Sequence, residues 1–463
     1  MSDDGLTAAR EKMTAAGVAA EAIEVFSHYY RALEEGATGL IPEDSIEPLE
    51  HPDLLSDVTI SDADAQAAFA QTVIIKLNGG LGTSMGMEKA KSLLPVADGS
   101  TFLDLIVAQV QSARQVHGVK LPLLFMNSFR TSADTQAALA RYDDLEVDGL
   151  GLEFVQNMEP KLRVADLTPV EWPADPTMEW CPPGHGDLYT ALSASGVLER
   201  LLAAGYRYAS VSNSDNLGAA PNAQIAGWFA GSGAPYAAEI CRRTAADRKG
   251  GHLAVRRSDH QLILRDTAQT APDEMHFFTD EHRHPFFHTN NLWFDLEVLA
   301  RTLRERNSVL GLPLIKNEKN VDPSDASSPE VVQIESAMGA AVEVFEGATA
   351  IGVGRDRFLP VKTTNDLLLL RSDVYEIGTD GSVAKIVDDA PLVELDSRYY
   401  KTIGGFEDRF PDGAPSLKDA TGLRVQGDWT FEPGVVVTGD AALTDEGTPQ
   451  VVRSGTTLGP PRG

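Results

Sequence analysis

Cysteine is almost absent from this sequence. Cys181 and Cys241 are the only two, far apart and outside any CxxC spacing, which excludes a disulfide framework and a thiolate zinc site. A reducing compartment, the cytoplasm, is the expected location. Basic residues are scarce too, with 39 Lys+Arg against 68 Asp+Glu and a formal net charge of −29. That field repels phosphate backbones and anionic lipid headgroups, so no nucleic acid and no membrane is expected as a partner. The opening MSDDGLTAAREKM lacks the basic-then-apolar order of a secretory signal. No apolar run approaches the roughly 18 residues of a membrane span. A phosphorylated small molecule can still bind where basic and backbone N–H groups gather locally, so the few lysines beside glycine-rich loops become the informative ones.

What is present is a chain of 463 residues, 43% of them hydrophobic, enough for two or three folding units. Residues 5–36 carry Val18, Ile23, Val25, Phe26, Tyr29 and Leu33 at helical spacing, ending at Gly36, which predicts a helical N-terminal cap. From Val73 short apolar runs alternate with loops and longer helical stretches: TVIIKL, a glycine-rich loop, FLDLIVAQVQSARQVHG, then LPLLFM. That alternation predicts a mostly parallel sheet covered on both faces. Further strands are expected at Leu152–Val155, Tyr208–Ser212 and Ala237–Ile240, and a helix at Leu188–Leu202. After about Asp373 the texture turns to short Val/Ile/Leu stretches broken by Gly, Asp and Pro, which fits an appended β-solenoid. The expected units are therefore residues 1–70, a helical cap; 71–373, catalytic; and 374–463, the β-solenoid.

LNGGLGTSMGMEKAKS, Leu77 to Ser92, follows the first strand. Its glycines let backbone N–H groups approach phosphate oxygens that a β-carbon would obstruct, and Lys91 adds a mobile positive charge. The string is neither a P-loop nor a complete dinucleotide fingerprint. NSDNLGA, Asn213 to Ala219, ends the strand YASVS, so Asp215 sits where parallel sheets bind ligands and is the candidate Mg2+ ligand. An Asx turn built by Asn213 and Asn216 explains that segment equally well. PPGHGDLY sets a rigid turn before Gly184 and His185 and then a helix start. A lone histidine there is as readily structural as functional. HTNNLW offers Asn290 and Asn291, amides that donate and accept as sugar hydroxyls require, with no basis for choosing between them. In RFLPVKTTNDLLLL, Lys362 precedes a helix expected to start at Thr363 or Thr364, with Asp366 in its first turn. The histidines of HFFTDEHRHPFFH match no closed zinc site and no HExxH helix.

The glycine loop with its KS spacer resembles the UTP–glucose-1-phosphate uridylyltransferases of the eukaryotic type. The resemblance continues in order through FLDL, MNSF followed by Thr131, PPGHGDLY, NSDNLGA, HTNNLW and RFLPVKTTNDLLLL, over roughly residues 70 to 375. It implies an α/β fold with a Rossmann-like, GT-A-like nucleotidyltransferase sheet, the helical cap, and a C-terminal β-solenoid similar to a left-handed β-helix. By resemblance, Leu77, Asn78, Gly79 and Gly80 line the nucleotide, Gln156 and Gly184 read uracil, and His185 faces the sugar phosphate. Asn213 and Ser214 join Asp215 in holding substrate. Lys362 is then the main catalytic cation at the α-phosphate, with Lys91 beside it. The chain departs from the family at MGMEKAKS, where Cys, Gly and Pro are commoner, and at His288, where Asn is usual.

The implied reaction is attack of a glucose 1-phosphate oxygen on the α-phosphorus of UTP, giving UDP-glucose and pyrophosphate with Mg2+ and no covalent intermediate. A UDP-N-acetylhexosamine pyrophosphorylase is the nearest alternative, but its loop usually reads like LAGGxGTRLG, against TSMG here; a broad-specificity UDP-sugar pyrophosphorylase is another. A catalytically dead nucleotide-sugar sensor should have lost Lys91, Asp215 or Lys362, and a scaffold built on the β-region leaves the ordered motifs unexplained. Exposed strand edges in that region suggest a homodimer.

Overall fold

A computed structural model describes residues 3–460 except 98, 245, 246, 249 and 324. Positions 1, 2 and 461–463 of the two outer regions therefore lie outside the described residues. The centre is a large mixed sheet whose main path runs, edge to edge, through Asp53–Leu54, Thr349–Gly352, Tyr236–Arg242, Phe286–Asp295, Tyr208–Asn213, Thr72–Asn78, Leu123–Asn127 and Glu153–Val155. Every pairing on this path is parallel except the two made by Phe286–Asp295, which runs against both neighbours. Thr72–Asn78 is buried at all seven positions, as a strand covered on both faces must be.

The chain leaves Thr72–Asn78 toward Leu123–Asn127 on one side, whereas its other neighbour is the later strand Tyr208–Asn213. This reversal of strand order opens a crevice at the carboxyl ends of the two central strands, the place where open α/β sheets bind ligands. The glycine loop and the NSDN turn therefore emerge side by side.

Two cores flank the sheet. One joins Leu6, Phe26 and Tyr30 of the N-terminal helices to Ile75, Tyr189 and Phe294. The other joins Phe102 and Leu367 to Tyr400, Leu423 and Phe431 of the C-terminal region. The N-terminal element is two helices, Asp3–Ala15 and Ala20–Glu34, separated at Gly17, which takes φ +76°. The expected helix Leu188–Leu202 likewise divides into Leu188–Ala194 and Val197–Ala203 at Gly196, φ +69°.

The C-terminal strands Leu392–Leu395, Ser416–Val425, Val436–Leu443 and Thr457–Leu458 all pair in parallel, and Trp429–Phe431 pairs in parallel with Gln450–Val452. Leu423 lies beside Ala441, and Val437 beside Leu458. The Asp373 carboxylate accepts from Ser416 Oγ at 2.6 Å and Leu417 N at 2.7 Å, which fixes this region to the end of the helix Thr364–Arg371.

Candidate active site

The crevice is lined by Leu77, Gly79, Gly80 and Lys91 from the glycine loop and by Asn213, Ser214 and Asp215 from the NSDN turn. Gln156, Gly184 and His185 complete its wall, together with Met126 and Pro182, which the sequence reading did not single out. Both are apolar residues beside motif positions, and nothing in their side-chain chemistry marked them.

Gly79 and Gly184 are required by close approach. A β-carbon on Gly79 would fall 2.5 Å from Gln156 Oε1. One on Gly184, already at φ +78°, would fall 2.6 Å from the carbonyl oxygen of Ser336. The Gly184 turn is docked there by Gly186 N donating to Ser336 O at 2.8 Å and Ser336 N donating to Pro183 O at 3.0 Å. Asp187 ties this turn to the Gln156 strand end: its carboxylate accepts from Asn157 N at 2.6 Å and Asn157 Nδ2 at 2.8 Å. Burial pushes the Asp187 carboxyl up to about 7.

His185 lines the crevice and is exposed to it, and desolvation by the surrounding protein lowers its proton affinity. Met338 N donates to His185 Nδ1 at 2.9 Å. The neutral ring therefore carries its proton on Nε2, available as a donor.

Lys91 N donates to Gly80 O at 3.1 Å, and Lys91 Nζ donates to Asp215 Oδ2 at 2.6 Å, closing the floor of the crevice across the strand reversal. Asn216 N donates to Asn213 O at 3.2 Å, so the turn foreseen in NSDN is a backbone turn and leaves the acid free of capping duty. Asp215 Oδ1 is buried without a hydrogen-bond partner among the described residues. A buried carboxylate oxygen with nothing to accept from is costly unless a ligand or cation meets it. Among the described residues no three His, Cys, Asp or Glu side chains cluster as a metal site. This donor set suits Mg2+, which takes one or two carboxylates and completes its shell with water and phosphate oxygens.

Four expected residues are not in the crevice wall. Asn78 points inward, its Nδ2 donating to Asn127 Oδ1 at 2.8 Å and Thr135 Oγ1 at 2.9 Å while its Oδ1 accepts from Ser214 Oγ at 3.1 Å. Its side chain braces the loop from behind and is not part of the crevice wall. Asn291 is likewise consumed: its amide donates to Glu239 and to Arg357 O, both at 3.2 Å, and accepts from Asn216 Nδ2 at 3.1 Å. Asn290 is half-buried at φ +60°, in a bulge where the strand slips against Tyr236–Arg242, with its backbone N donating to His288 Nδ1 at 2.8 Å. Lys362 is exposed, its Nζ 5.9 Å from the Phe358 ring centre. Its backbone N and that of Thr363 donate to the Asp366 carboxylate at 2.9 and 2.8 Å, and the helix begins at Thr364.

A glycine loop, a lysine and an acid at the strand reversal of a parallel-dominated α/β sheet define a nucleotide-binding transferase of phosphorylated substrates. The UTP–glucose-1-phosphate uridylyltransferase family model matches residues 23–438. The barley (Hordeum vulgare) enzyme of that name is 38% identical over 82% of this chain and 79% of its own length. The crystal structure of UDP-glucose phosphorylase from Trypanosoma brucei shares 40% identity at a TM-score of 0.91, covering 98% of each chain. A variant of the Leishmania major UDP-glucose pyrophosphorylase, solved in complex with UDP-glucose, shares 42% at a TM-score of 0.91 over 99% of this chain and 98% of its own. The chain belongs to the UTP–glucose-1-phosphate uridylyltransferase family.

Proposed function

We propose that this chain transfers the uridylyl group of UTP to glucose 1-phosphate, giving UDP-glucose and pyrophosphate. The observation that carries the reading is the Lys91–Asp215 pair at the strand reversal, 2.6 Å apart and in one crevice with Gln156 and Gly184. Gln156 and Gly184 hold uracil by amide and backbone, and a purine is rejected by hydrogen-bond mismatch and size. Leu77, Gly79 and Gly80 line the nucleotide, and the His185 Nε2–H donates to the sugar phosphate. Asn290, not Asn291, meets the sugar, because both N–H donors of the buried Asn291 amide are spent on Glu239 and Arg357. A phosphate oxygen of the sugar attacks the α-phosphorus, one P–O bond forms as the bond to pyrophosphate breaks, and Lys91 and Lys362 stabilise the charge that develops. Mg2+ held by Asp215, with Asn213 and Ser214 beside it, would supply charge neutralisation on the phosphates.

Both cysteines are free and buried, in keeping with work in the cytoplasm. No helix among the described residues is long and apolar enough to cross a membrane. The parallel-paired C-terminal strands support a solenoid of the left-handed β-helix kind, and its edge strand Leu392–Leu395, with Leu392 exposed, is the surface for a homodimer. The test is pyrophosphate release from UTP and Mg2+ across a panel of sugar 1-phosphates. Glucose 1-phosphate should give the highest kcat/KM, and a preference for an N-acetylhexosamine 1-phosphate would sink the reading.

A further inference from the structure

Lys362 is remote from Lys91 and Asp215 in sequence, and its side chain stands outside the crevice, yet its backbone is joined to the NSDN turn by a buried network. Val361 N donates to Asp215 O at 3.2 Å. Asn216 and Pro360 form an antiparallel bridge. The Asn216 side chain works in both directions: its Oδ1 accepts from Leu359 N at 2.8 Å, and its Nδ2 donates to Arg357 O at 3.1 Å. Asn216 is 2% exposed, so these bonds have no water to compete with them. Behind it, Arg357 is clamped on Glu239 through Nε at 2.7 Å and Nη2 at 2.8 Å, and Nη1 donates to Ala220 O at 2.9 Å. Glu239 is fully buried and also accepts from Trp293 Nε1 at 2.9 Å. A bidentate guanidinium pair inside the protein admits one geometry, since breaking either side strands a charge.

We infer that Asn216 is a positioning residue for the transfer step, registering the segment Arg357–Val361, which leads directly into Lys362, against Asp215. This rests on the reading of Lys362 as the catalytic cation. Anchored at Val361, the long flexible lysine stem turns about a fixed root, and the charge reaches the α-phosphate by side-chain rotation. Without the Asn216 bonds the root drifts relative to Asp215. The Asn216 side-chain bonds run to Arg357 and Leu359, away from the glycine loop, Gln156 and Gly184 that make up the rest of the nucleotide pocket, so the register weighs more on turnover than on affinity.

The test is a double-mutant cycle on the full chain, with kcat from pyrophosphate release and UTP affinity from titration calorimetry. Asn216→Ala should lower kcat about tenfold to a hundredfold, the range that misplacement by about 1 Å can cost, with UTP Kd changed far less than kcat. Added to Lys362→Ala, it should cost nothing further, because the group it positions has gone. Asn216→Asp keeps the side-chain shape and the acceptor for Leu359 N but removes the donor to Arg357 O, and should show the same non-additivity if Asn216→Ala fails to fold. Independent, multiplying losses would overturn the inference while leaving Lys362 catalytic. Full kcat in Lys362→Ala alone would overturn both the Lys362 reading and the inference built on it.

Discussion

The crevice and the Lys362 segment beside it form two halves that differ in how far they are built before substrate arrives. On the nucleotide side, Gly79 packs on Gln156, Asp187 bonds the Gln156 strand end to the Gly184 turn, and Lys91 is already paired with Asp215. In the Lys362 segment the root is fixed and the cation is not: Arg357–Val361 is bonded to Asn216 and Asp215, while the Lys362 amine rests over Phe358. A rigid half suits groups that bind the ground state, and a mobile cation on a rigid root suits a charge needed only as the transition state forms.

Removing the mobile charge should separate the halves most sharply. Lys362→Ala is expected to lower kcat by about 10³-fold, near the upper end of losses seen for a single transition-state donor, with UTP Kd in calorimetry little changed. A raised KM at normal kcat would place Lys362 with the binding half instead. Asp215→Asn comes next. It keeps the shape but loses the charge facing Lys91 and the cation, so activity should fall about a hundredfold and recover only partly in a magnesium titration. Near-normal activity at low magnesium would move the metal ligand elsewhere.

A smaller effect of the opposite kind is expected from Gly184→Ala, where the new methyl would lie 2.6 Å from Ser336 O in a left-handed backbone. KM for UTP should rise about tenfold with a lesser change in kcat, the signature of lost ground-state binding. Equal losses in both would mean the Gly184 turn also shapes the transition state.

The smallest effect concerns pH. The Asp187 carboxyl sits near 7 in the fold because burial disfavours its charge, against an ordinary value of 3.8. The favourable neutral form is kept at low pH, and the stability it brings is lost as pH rises from about 3.8 through about 7. Asp187→Asn carries no charge at any pH, so its Tm relative to the parent should rise between pH 5.5 and 8 in scanning calorimetry. A constant gap would show that Asp187 does not titrate in that window.

Much of this was legible in the chain. The burial of Thr72–Asn78, the helix starting at Phe102, and the loops carrying Lys91, Gly184 and Asp215 follow from local pattern, because periodicity and turn chemistry act over a few residues. The break at Gly196 inside the helix expected at Leu188–Leu202 is not legible, because a single glycine inside a helical pattern is often tolerated and only the realised positive φ shows that the helix has ended. The two asparagines of HTNNLW are equal as letters. Which is free depends on Glu239, Arg357 and Asn216, contributed by three other segments.

The sequence by itself determined the family, the alternation that makes a parallel-dominated sheet, and the chemistry of the groups at its strand ends, since these rest on side-chain type and short spacings. The tertiary structure alone decided which groups meet: that Lys91 pairs with Asp215, that Asn78 and Asn291 face inward, and that Lys362 is held by its backbone while its amine stays outside. Such choices are settled by burial. A polar side chain taken out of water must find partners wherever the fold supplies them, and those partners come from strands far apart along the chain.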